Sequence, residues 1–123
     1  MSKRIAIIED ELSISQLYEL KFKKEGYEVK TALNGKLGLE LVEKFRPNLI
    51  LLDLLMPEMN GDEMLEKLRK TEWGKTVKVI ILTNVSRQEA PEALDMLDIS
   101  RYIVKAELTA GQVAEVVKEV LLR

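Results

Sequence analysis

Carboxylates follow two of the most apolar stretches of this chain. In the segment Leu49–Glu63, LILLDLLMPEMNGDE, four aliphatic residues lead directly into Asp53. The run Ile5–Ile8 ends in the same way, in the acidic triplet Glu9-Asp10-Glu11. Buried strands exclude carboxylates unless these are paired or bind a metal. Asp53 is therefore a candidate for chemistry rather than for packing.

Two further apolar runs end in residues that can contact a phosphoryl group. Thr83-Asn84 follows the run Val77–Leu82, and Lys105 follows Tyr102–Val104. A hydroxyl can hydrogen-bond to a phosphoryl oxygen, and an ammonium group can pair with its charge.

The acidic residues in turn favour a metal. Several carboxylates in one crevice repel each other, and Mg²⁺ relieves this because it takes oxygen ligands, typically one or two carboxylates plus a phosphate. Taken singly, each residue has a structural explanation, such as a helix N-terminal cap for Glu9 and Asp10. Taken together, the four strand ends predict a site for a carboxylate, Mg²⁺ and a phosphoryl group.

Composition excludes several other chemistries. The 123 residues contain no cysteine and no histidine, which excludes disulfides, thiol nucleophiles, imidazole bases and zinc sites built on either residue. The formal net charge of −2 argues against the chain as a whole binding nucleic acid or a membrane. We expect a cytoplasmic protein, because no apolar run reaches the length of a membrane span and no cleavable apolar leader precedes the first strand.

Strand and helix patterns alternate along the chain, and the elements that they predict must position these residues. The apolar runs at 5–8, 49–52 and 77–82, interrupted only by Lys78, suit parallel strands covered on both faces. The alternating stretch 27–31 and the short 102–104 suit edge strands. Helical patterns occupy about 12–25, 35–45, the residues after Gly61, and a C-terminal stripe that begins at Val113. Pro91 predicts the first turn of a further helix running to about Leu97.

This alternation predicts an α/β fold of five βα units, a (βα)5 doubly wound sheet. Placing the polar strands at the edges gives a five-stranded parallel sheet of order 2-1-3-4-5, the flavodoxin-like arrangement. In such sheets ligands bind outside the carboxyl ends of the strands. We expect a single domain over residues 1–123, with no output domain on this chain.

The chain resembles the receiver domains of two-component response regulators, of which CheY is a single-domain member. Glu9-Asp10 is similar to the acidic pair of that family, and Asp53 within DLLMPEMNGDE is similar to its phosphoacceptor and the loop that follows. Thr83 and Lys105 match the hydroxyl and the lysine of the family site. Tyr102, three residues before Lys105, matches the aromatic switch residue.

The resemblance implies a mechanism. A sensor histidine kinase or a phosphotransfer protein would donate a phosphoryl group to Asp53. Mg²⁺ would be held by Asp10, Asp53 and the backbone carbonyl of Leu55, with Glu9 acting through water. The protein would not be an enzyme, but a phosphoacceptor that assists its own phosphorylation and dephosphorylation.

The resemblance also implies a switch. Thr83 and Lys105 would be drawn to the phosphoryl oxygens, and Tyr102 would turn inward. The face formed by the fourth helix, the fifth strand and the fifth helix (the α4-β5-α5 face of the family) would then change its preference for an output protein that the sequence does not identify. A homodimer through this face is a further possibility, and no direct contact with nucleic acid or membrane is expected.

Three residues depart from the family pattern. Ala106 follows Lys105 where the family usually has proline joined by a cis bond; a cis bond before alanine costs about 3–4 kcal/mol against about 0.5–1 before proline. Either this bond is cis at that cost, or it is trans and the Lys105 loop differs. Asn84 is larger than the residue usual at its position, and Leu55 is apolar, which predicts slow self-dephosphorylation.

Two alternatives remain open from the sequence. A pseudo-receiver would use the same fold as a phosphorylation-independent interaction or dimerisation module. An α/β enzyme is disfavoured: a haloacid-dehalogenase-like phosphatase would need an aspartate at position 55, which is Leu55. A nucleotide or flavin binder would need a glycine- or hydroxyl-rich loop after the first strand, where Glu9-Asp10-Glu11 stands.

Overall fold

A computed structural model describes residues 2–123 and contains one parallel sheet of five strands. The strand order is β2-β1-β3-β4-β5, as predicted. The strands are β1 (Arg4–Ile8), β2 (Glu28–Ala32), β3 (Leu49–Leu52), β4 (Lys78–Thr83) and β5 (Arg101–Val104). The α-helices are α1 (Leu12–Lys24), α2 (Gly35–Phe45), α3 (Gly61–Arg69) and α4 (Ala110–Leu121).

The sheet separates two hydrophobic cores, because alternate side chains of a strand point to opposite faces. Ile5 and Ile7 of β1 face the core shared with α1 and α4, in which Phe22 and Val117 are fully buried. Ala6 and Ile8 face the core shared with α2 and α3. Each fully buried isoleucine or leucine contributes about 1.5–3 kcal/mol. The three central strands are covered on both faces, which explains why their sequences are mostly apolar.

Local sequence signals account for several helix ends. The Asn34 side chain accepts a hydrogen bond from the Leu37 N–H at the start of α2. Thr109 and Gln112 form a reciprocal capping box at the start of α4. After α1, Gly26 adopts a φ of 96°, a left-handed conformation that glycine takes without strain.

The connection between β4 and β5 differs from the prediction. The expected α-helix from Pro91 to about Leu97 is replaced by two 3₁₀ segments, Arg87–Glu89 and Glu92–Met96. Ala90 is extended, as the residue before a proline tends to be, and Pro91 has no N–H to donate. Together they interrupt the helical pattern and leave too few residues for a stable α-helix before Asp98, which has a φ of 54°.

Among residues 2–123, no helix is both long enough and apolar enough to cross a membrane.

Candidate functional site

The register of the sheet brings the predicted acidic residues together. Ile8 at the end of β1 pairs with Leu52 at the end of β3. The ladder continues for one more bond, in which the Asp53 N–H donates to the Ile8 carbonyl at 3.0 Å. On the other side, the Glu9 N–H donates to the Ala32 carbonyl of β2 at 3.0 Å. Glu9 and Asp53 therefore follow the carboxyl ends of two adjacent strands and lie at the same, C-terminal end of the sheet.

Three carboxylates form a compact cluster at this end of the sheet. Glu9, Asp10 and Asp53 each offer one oxygen, and these oxygens lie within 4.8 Å of one another. Glu9 and Asp53 are 3% and 6% exposed, whereas Asp10 faces solvent. This all-oxygen donor set matches the ligands that Mg²⁺ prefers in proteins.

Lys105 connects two members of the cluster. Its ammonium Nζ lies 3.1 Å from Asp53 Oδ2 and also forms a close ion pair with Glu9 Oε1. Burial works to lower the pKa of Lys105, but the hydrogen bonds to Glu9 and Asp53 outweigh it, so this pKa is raised above its ordinary value. Lys105 therefore stays cationic and partly neutralises the carboxylates.

The surroundings of the Glu9 carboxyl group change its pKa. Burial raises the pKa of Glu9 to about 7, against the opposing effect of hydrogen bonds from Lys105 and from the Glu11 N–H. The negative charge of Asp53 acts in the same direction as burial and contributes to this value. Removal from water penalises the charged form of a carboxyl group. A cation bound beside Glu9 would reverse this penalty.

The loop after β3 holds Asp53 through tight backbone contacts. Asp53 Oδ1 accepts a hydrogen bond from the Leu54 N–H at 2.7 Å. The Gly61 N–H donates to the Leu54 carbonyl at 2.9 Å. A Cβ at position 61 would lie 2.0 Å from the Asp53 carbonyl oxygen, so only glycine fits there. Asn60 Oδ1 accepts from the Met56 N–H at 3.2 Å and closes the loop.

The cluster opens into a cleft of about 260 Å³. Asp10, Asp53 and Lys105 line it together with Thr83 from the end of β4. The Thr83 side chain is buried, and its Oγ1 accepts a hydrogen bond from the Val85 N–H at 3.4 Å. Leu55, 62% exposed, and Asn84, also exposed, line the cleft too. The cleft thus combines a carboxylate, a hydroxyl and an ammonium group with room for a small anion.

Tyr102 lies beside this cleft rather than in it. Its hydroxyl donates to the Val85 carbonyl at 2.7 Å, with a longer contact of 3.4 Å to the Ser86 carbonyl. The Arg87 guanidinium lies 5.2 Å from the centre of the ring. Tyr102 therefore ties β5 to the loop that follows Thr83.

The peptide bond between Lys105 and Ala106 is trans, since residues 2–123 contain no cis peptide bond. Of the two possibilities that the sequence leaves open, the structure adopts the one that avoids a cis bond before alanine. Lys105 begins a short 3₁₀ turn that ends at Glu107. The trans bond still allows Lys105 to reach both Asp53 and Glu9.

Arg69, which no motif of the sequence marks, anchors the segment between β4 and β5. At the end of α3, its guanidinium donates to the Leu97 carbonyl at 2.9 Å and to the Asp98 carbonyl at 2.9 Å. Two more hydrogen bonds reach the Gly74 and Val77 carbonyls before β4. The only local signal was a basic residue in the last turn of a helix, which is common.

Comparison with known proteins agrees with this geometry. The family model of the response regulator receiver domain matches residues 5–118. Sporulation initiation phosphotransferase F of Bacillus subtilis (strain 168) is 37% identical over 101 residues, covering 82% of this chain and 75% of that protein. Two other curated relatives are longer, and the chain covers only 43% and 33% of their lengths.

Solved structures share the fold over almost the whole chain. A CheY-like response regulator receiver domain protein from Methanospirillum hungatei JF-1 is 32% identical, with a TM-score of 0.87 and coverage of 98% of this chain and 94% of that one. The receiver domain of sensor histidine kinase PA1611 from Pseudomonas aeruginosa PAO1, which has a magnesium ion coordinated in its active site cleft, has a TM-score of 0.89. At 21% identity and full coverage of both chains, this second likeness concerns the fold alone. The chain belongs to the family of response regulator receiver domains of two-component signalling systems.

Proposed function

We propose that this receiver domain accepts a phosphoryl group on Asp53 from a sensor histidine kinase or a phosphotransfer protein in the cytoplasm. The observation that carries the proposal is the Lys105 ammonium group, which contacts both Asp53 and Glu9 in a cleft that Asp10 and Thr83 also reach. A structural ion pair would account for Lys105 and one carboxylate. It would not account for a hydroxyl and two further carboxylates around the same small cleft.

Mg²⁺ is the cofactor that suits this cluster. Asp10, Asp53 and the backbone carbonyl of Leu55 would hold it, with Glu9 acting through a water molecule. Three carboxylate oxygens within 4.8 Å of one another support this set, and the PA1611 receiver domain binds magnesium in its own cleft. When bound, the ion supplies positive charge against the phosphoryl oxygens and the carboxylates.

The residues of this chain would act mainly by position and charge, as in phosphoryl transfer generally. A bond forms between an Asp53 carboxylate oxygen and phosphorus, while the bond from phosphorus to the donor's histidine nitrogen breaks. Lys105 balances the negative charge that arrives, and the Thr83 hydroxyl donates a hydrogen bond to a phosphoryl oxygen. The protein is thus a phosphoacceptor that assists its own modification, rather than a classical enzyme.

Phosphorylation would change the conformation of the loop after β4. Without a phosphoryl group, Thr83 is hydrogen-bonded to the Val85 N–H and Lys105 to Asp53. When a phosphoryl group binds, both side chains would exchange these hydrogen bonds for contacts with its oxygens. The Tyr102 hydroxyl holds the Val85 carbonyl of the same loop. The switch face, defined here as residues 87–97 with β5 and α4, would then favour an output protein or a second copy of the chain. The phosphoryl group shifts this equilibrium only by its differential contacts in the two states.

Slow self-dephosphorylation is part of the proposal. Leu55 is 62% exposed at the mouth of the cleft, where an apolar side chain hinders the water that would attack the phosphoryl group. Leu55→Asn should increase the hydrolysis rate about tenfold, which corresponds to about 1.4 kcal/mol of barrier. Leu17→Asn, at an exposed leucine of α1 outside the cleft, is the matched control. A wild-type phosphoryl lifetime of seconds would contradict the prediction.

The first test is phosphorylation itself. The protein is incubated with Mg²⁺ and acetyl phosphate, quenched quickly in acid, and its intact mass is recorded beside that of Asp53→Asn. We expect a metal-dependent gain of one phosphoryl group, about 80 Da, that is absent from the variant. If no adduct forms although Mg²⁺ binds, the proposal fails and the pseudo-receiver, a phosphorylation-independent interaction or dimerisation module, takes its place.

A further inference from the structure

A continuous groove runs along the outer edge of the sheet, between β2 and α2. Two adjoining hollows of about 500 and 360 Å³ form it, and they share Leu41 and Lys44 of α2. We call it the β2–α2 groove. Because Leu37, Leu41 and Lys44 are spaced by four and three residues, they lie along one side of the helix and form one wall. The groove contains none of the site residues described above.

One half of the groove is mainly apolar and open to solvent, although Thr31, Glu40 and Lys44 also line it. Leu12, Leu33 and Leu37 line it with exposed fractions of 56%, 41% and 48%. Scattered exposed leucines are ordinary on a protein surface, but adjacent ones around a hollow mark a binding surface. This half lies towards the carboxyl end of β2, where Ala32 forms part of its floor.

The other half is cationic. Arg4, Lys30 and Lys44 line it with Glu28 as its single carboxylate. Within residues 2–123, none of these three cations forms a salt bridge. Three positive charges around one hollow repel each other, so a ligand with carboxylates would relieve this repulsion.

Arg4 and Lys30 are held in place before any ligand arrives. The Arg4 guanidinium and the Lys30 ammonium group lie 5.6 and 5.2 Å from the centre of the Phe45 ring. Arg4 Nη2 also donates to the Arg46 carbonyl at 2.8 Å. The Arg4 Nε–H, although buried, has no hydrogen-bond partner in the described chain. A buried donor of this kind points to an acceptor supplied by water or by a ligand.

The groove also borders a free strand edge. β2 pairs with β1 on one side and, within the described residues, with no strand on the other. Its five residues span about 16 Å, the length of an extended segment of similar size. An extended peptide can pair its backbone with such an edge, whereas an acyl chain cannot.

We propose that the β2–α2 groove binds an extended segment of a partner protein, with carboxylates at one end and large apolar side chains at the other. The carboxylates face Arg4, Lys30 and Lys44, and the apolar side chains pack among Leu33, Leu37 and their neighbours. This interaction surface is separate from the switch face. It does not depend on the phosphorylation of Asp53.

Two synthetic peptides test the proposal on the ¹⁵N-labelled full chain. One has aspartates at its N-terminal half and alternating leucine and serine at its C-terminal half, and the other has the reverse order. We expect saturable amide shift changes for one of them, concentrated on β2 and on the groove side of α2. A peptide with lysine in place of aspartate should not bind.

Variants separate the two halves of the groove. Lys30→Gln with Lys44→Gln should weaken peptide binding about tenfold, and Leu37→Gln should have a similar effect. Lys36→Gln on α2 and Leu17→Gln on α1 are controls at exposed positions outside the groove. Asp53→Asn should bind the peptide like the wild type, which distinguishes this proposal from the proposed phosphorylation.

Several outcomes would overturn the proposal. No saturable shift with either peptide at millimolar concentration would do so, as would shifts centred on another face. Binding that survives the lysine and leucine variants would have the same meaning. Decanoate below its micellar concentration is a further arm: if it alone binds in the groove, the surface takes an anionic lipid rather than a peptide.

Discussion

Two connections flank the cleft, and they are held in different ways. The loop after β3, residues 53–60, is fixed by backbone contacts: the Gly61 N–H bonds to Leu54, and the Gly35 N–H bonds to the Met59 carbonyl at 3.2 Å. Apart from the Ser100 N–H, which donates to the Val79 carbonyl at 2.8 Å, the segment after β4, residues 84–100, is tied to other elements by hydrogen bonds that involve side chains. The Tyr102 hydroxyl bonds to Val85 near its start, and Arg69 bonds to two carbonyls near its end.

This difference suits two different tasks. Backbone hydrogen bonds and the close packing around Gly61 restrain the loop after β3, so this loop holds its carboxylate in one position. Side-chain hydrogen bonds are worth about 0.5–1.5 kcal/mol each and can be exchanged one at a time. The segment after β4 is therefore the part of the site that can adopt a second arrangement at low cost. Substitutions in the two connections can test this contrast.

Gly61→Ala should disrupt the loop after β3. The new Cβ would lie 2.0 Å from the Asp53 carbonyl oxygen, so the loop must move. We expect a loss of about 3 kcal/mol in the free energy of unfolding and a large drop in Asp53 labelling by acetyl phosphate. Urea denaturation and intact mass measure the two effects.

Gly111→Ala is the control for that substitution. A Cβ there meets its nearest atom at 3.8 Å, which is ordinary contact, and the position lies within α4. Because alanine is the better helix former, this variant should be neutral or stabilised by about 0.5–1 kcal/mol. If both variants behaved alike, close approach at Gly61 would not be what fixes the loop.

Arg69→Gln should loosen the C-terminal end of the segment after β4. It removes the guanidinium that serves four backbone carbonyls, and we expect a loss of about 2 kcal/mol in stability. Amide hydrogen exchange should accelerate at residues 92–98 while residues 54–60 keep their protection. Lys70→Gln, at the next and exposed position, should change neither. Equal acceleration in both connections would contradict the contrast.

The affinity for Mg²⁺ should depend on pH, and bound Mg²⁺ should affect the loop after β3 rather than the segment after β4. With a pKa of about 7, Glu9 is mostly protonated at pH 6 and ionised at pH 8. Mg²⁺ affinity should therefore rise about tenfold between these values, about 1.4 kcal/mol, as measured by titration. Glu9→Gln should show a flatter pH profile. Amide shifts at saturation should concentrate on residues 9–11 and 53–60 and spare Leu97.

The raised pKa of Glu9 also predicts the direction in which the stability of the metal-free protein changes with pH. The carboxyl group of Glu9 has its ordinary pKa near 4.5 when unfolded and about 7 when folded. Between these values the folded state binds more protons, so the contribution of this group to stability falls as pH rises through this window. Denaturation at pH 5 and pH 8, with Glu9→Gln as control, checks the direction.

Tyr102→Phe should give the smallest effect. It removes the hydrogen bond to the Val85 carbonyl and leaves the ring in place, which costs about 1 kcal/mol. We expect greater motion of Val85 and Ser86 by NMR relaxation, with unchanged initial labelling of Asp53. A strong loss of labelling would mean that Tyr102 helps to build the site rather than to restrain the loop.

Much of the fold could be predicted because its signals are local. The apolar runs before Glu9 and Asp53 marked central strands within one or two residues of their bounds, and helix α2 matched its predicted range 35–45. The connection after β4 could not be predicted in the same way. There the helical composition of residues 92–97 competes with the extended Ala90-Pro91 step, and the tertiary contacts of Arg69 hold the short form.

The position of each strand end and the functional group that stands there follow from the sequence alone, because periodicity and residue type are properties of the chain. Long-range folding settled which of these groups meet. Lys105 reaches Asp53 across 52 positions of sequence, and Glu9 acquires its raised pKa from burial between neighbouring strands. It also decided that Arg4, Lys30 and Lys44 line one groove. Distances and burial arise from long-range pairing, and no local pattern encodes them.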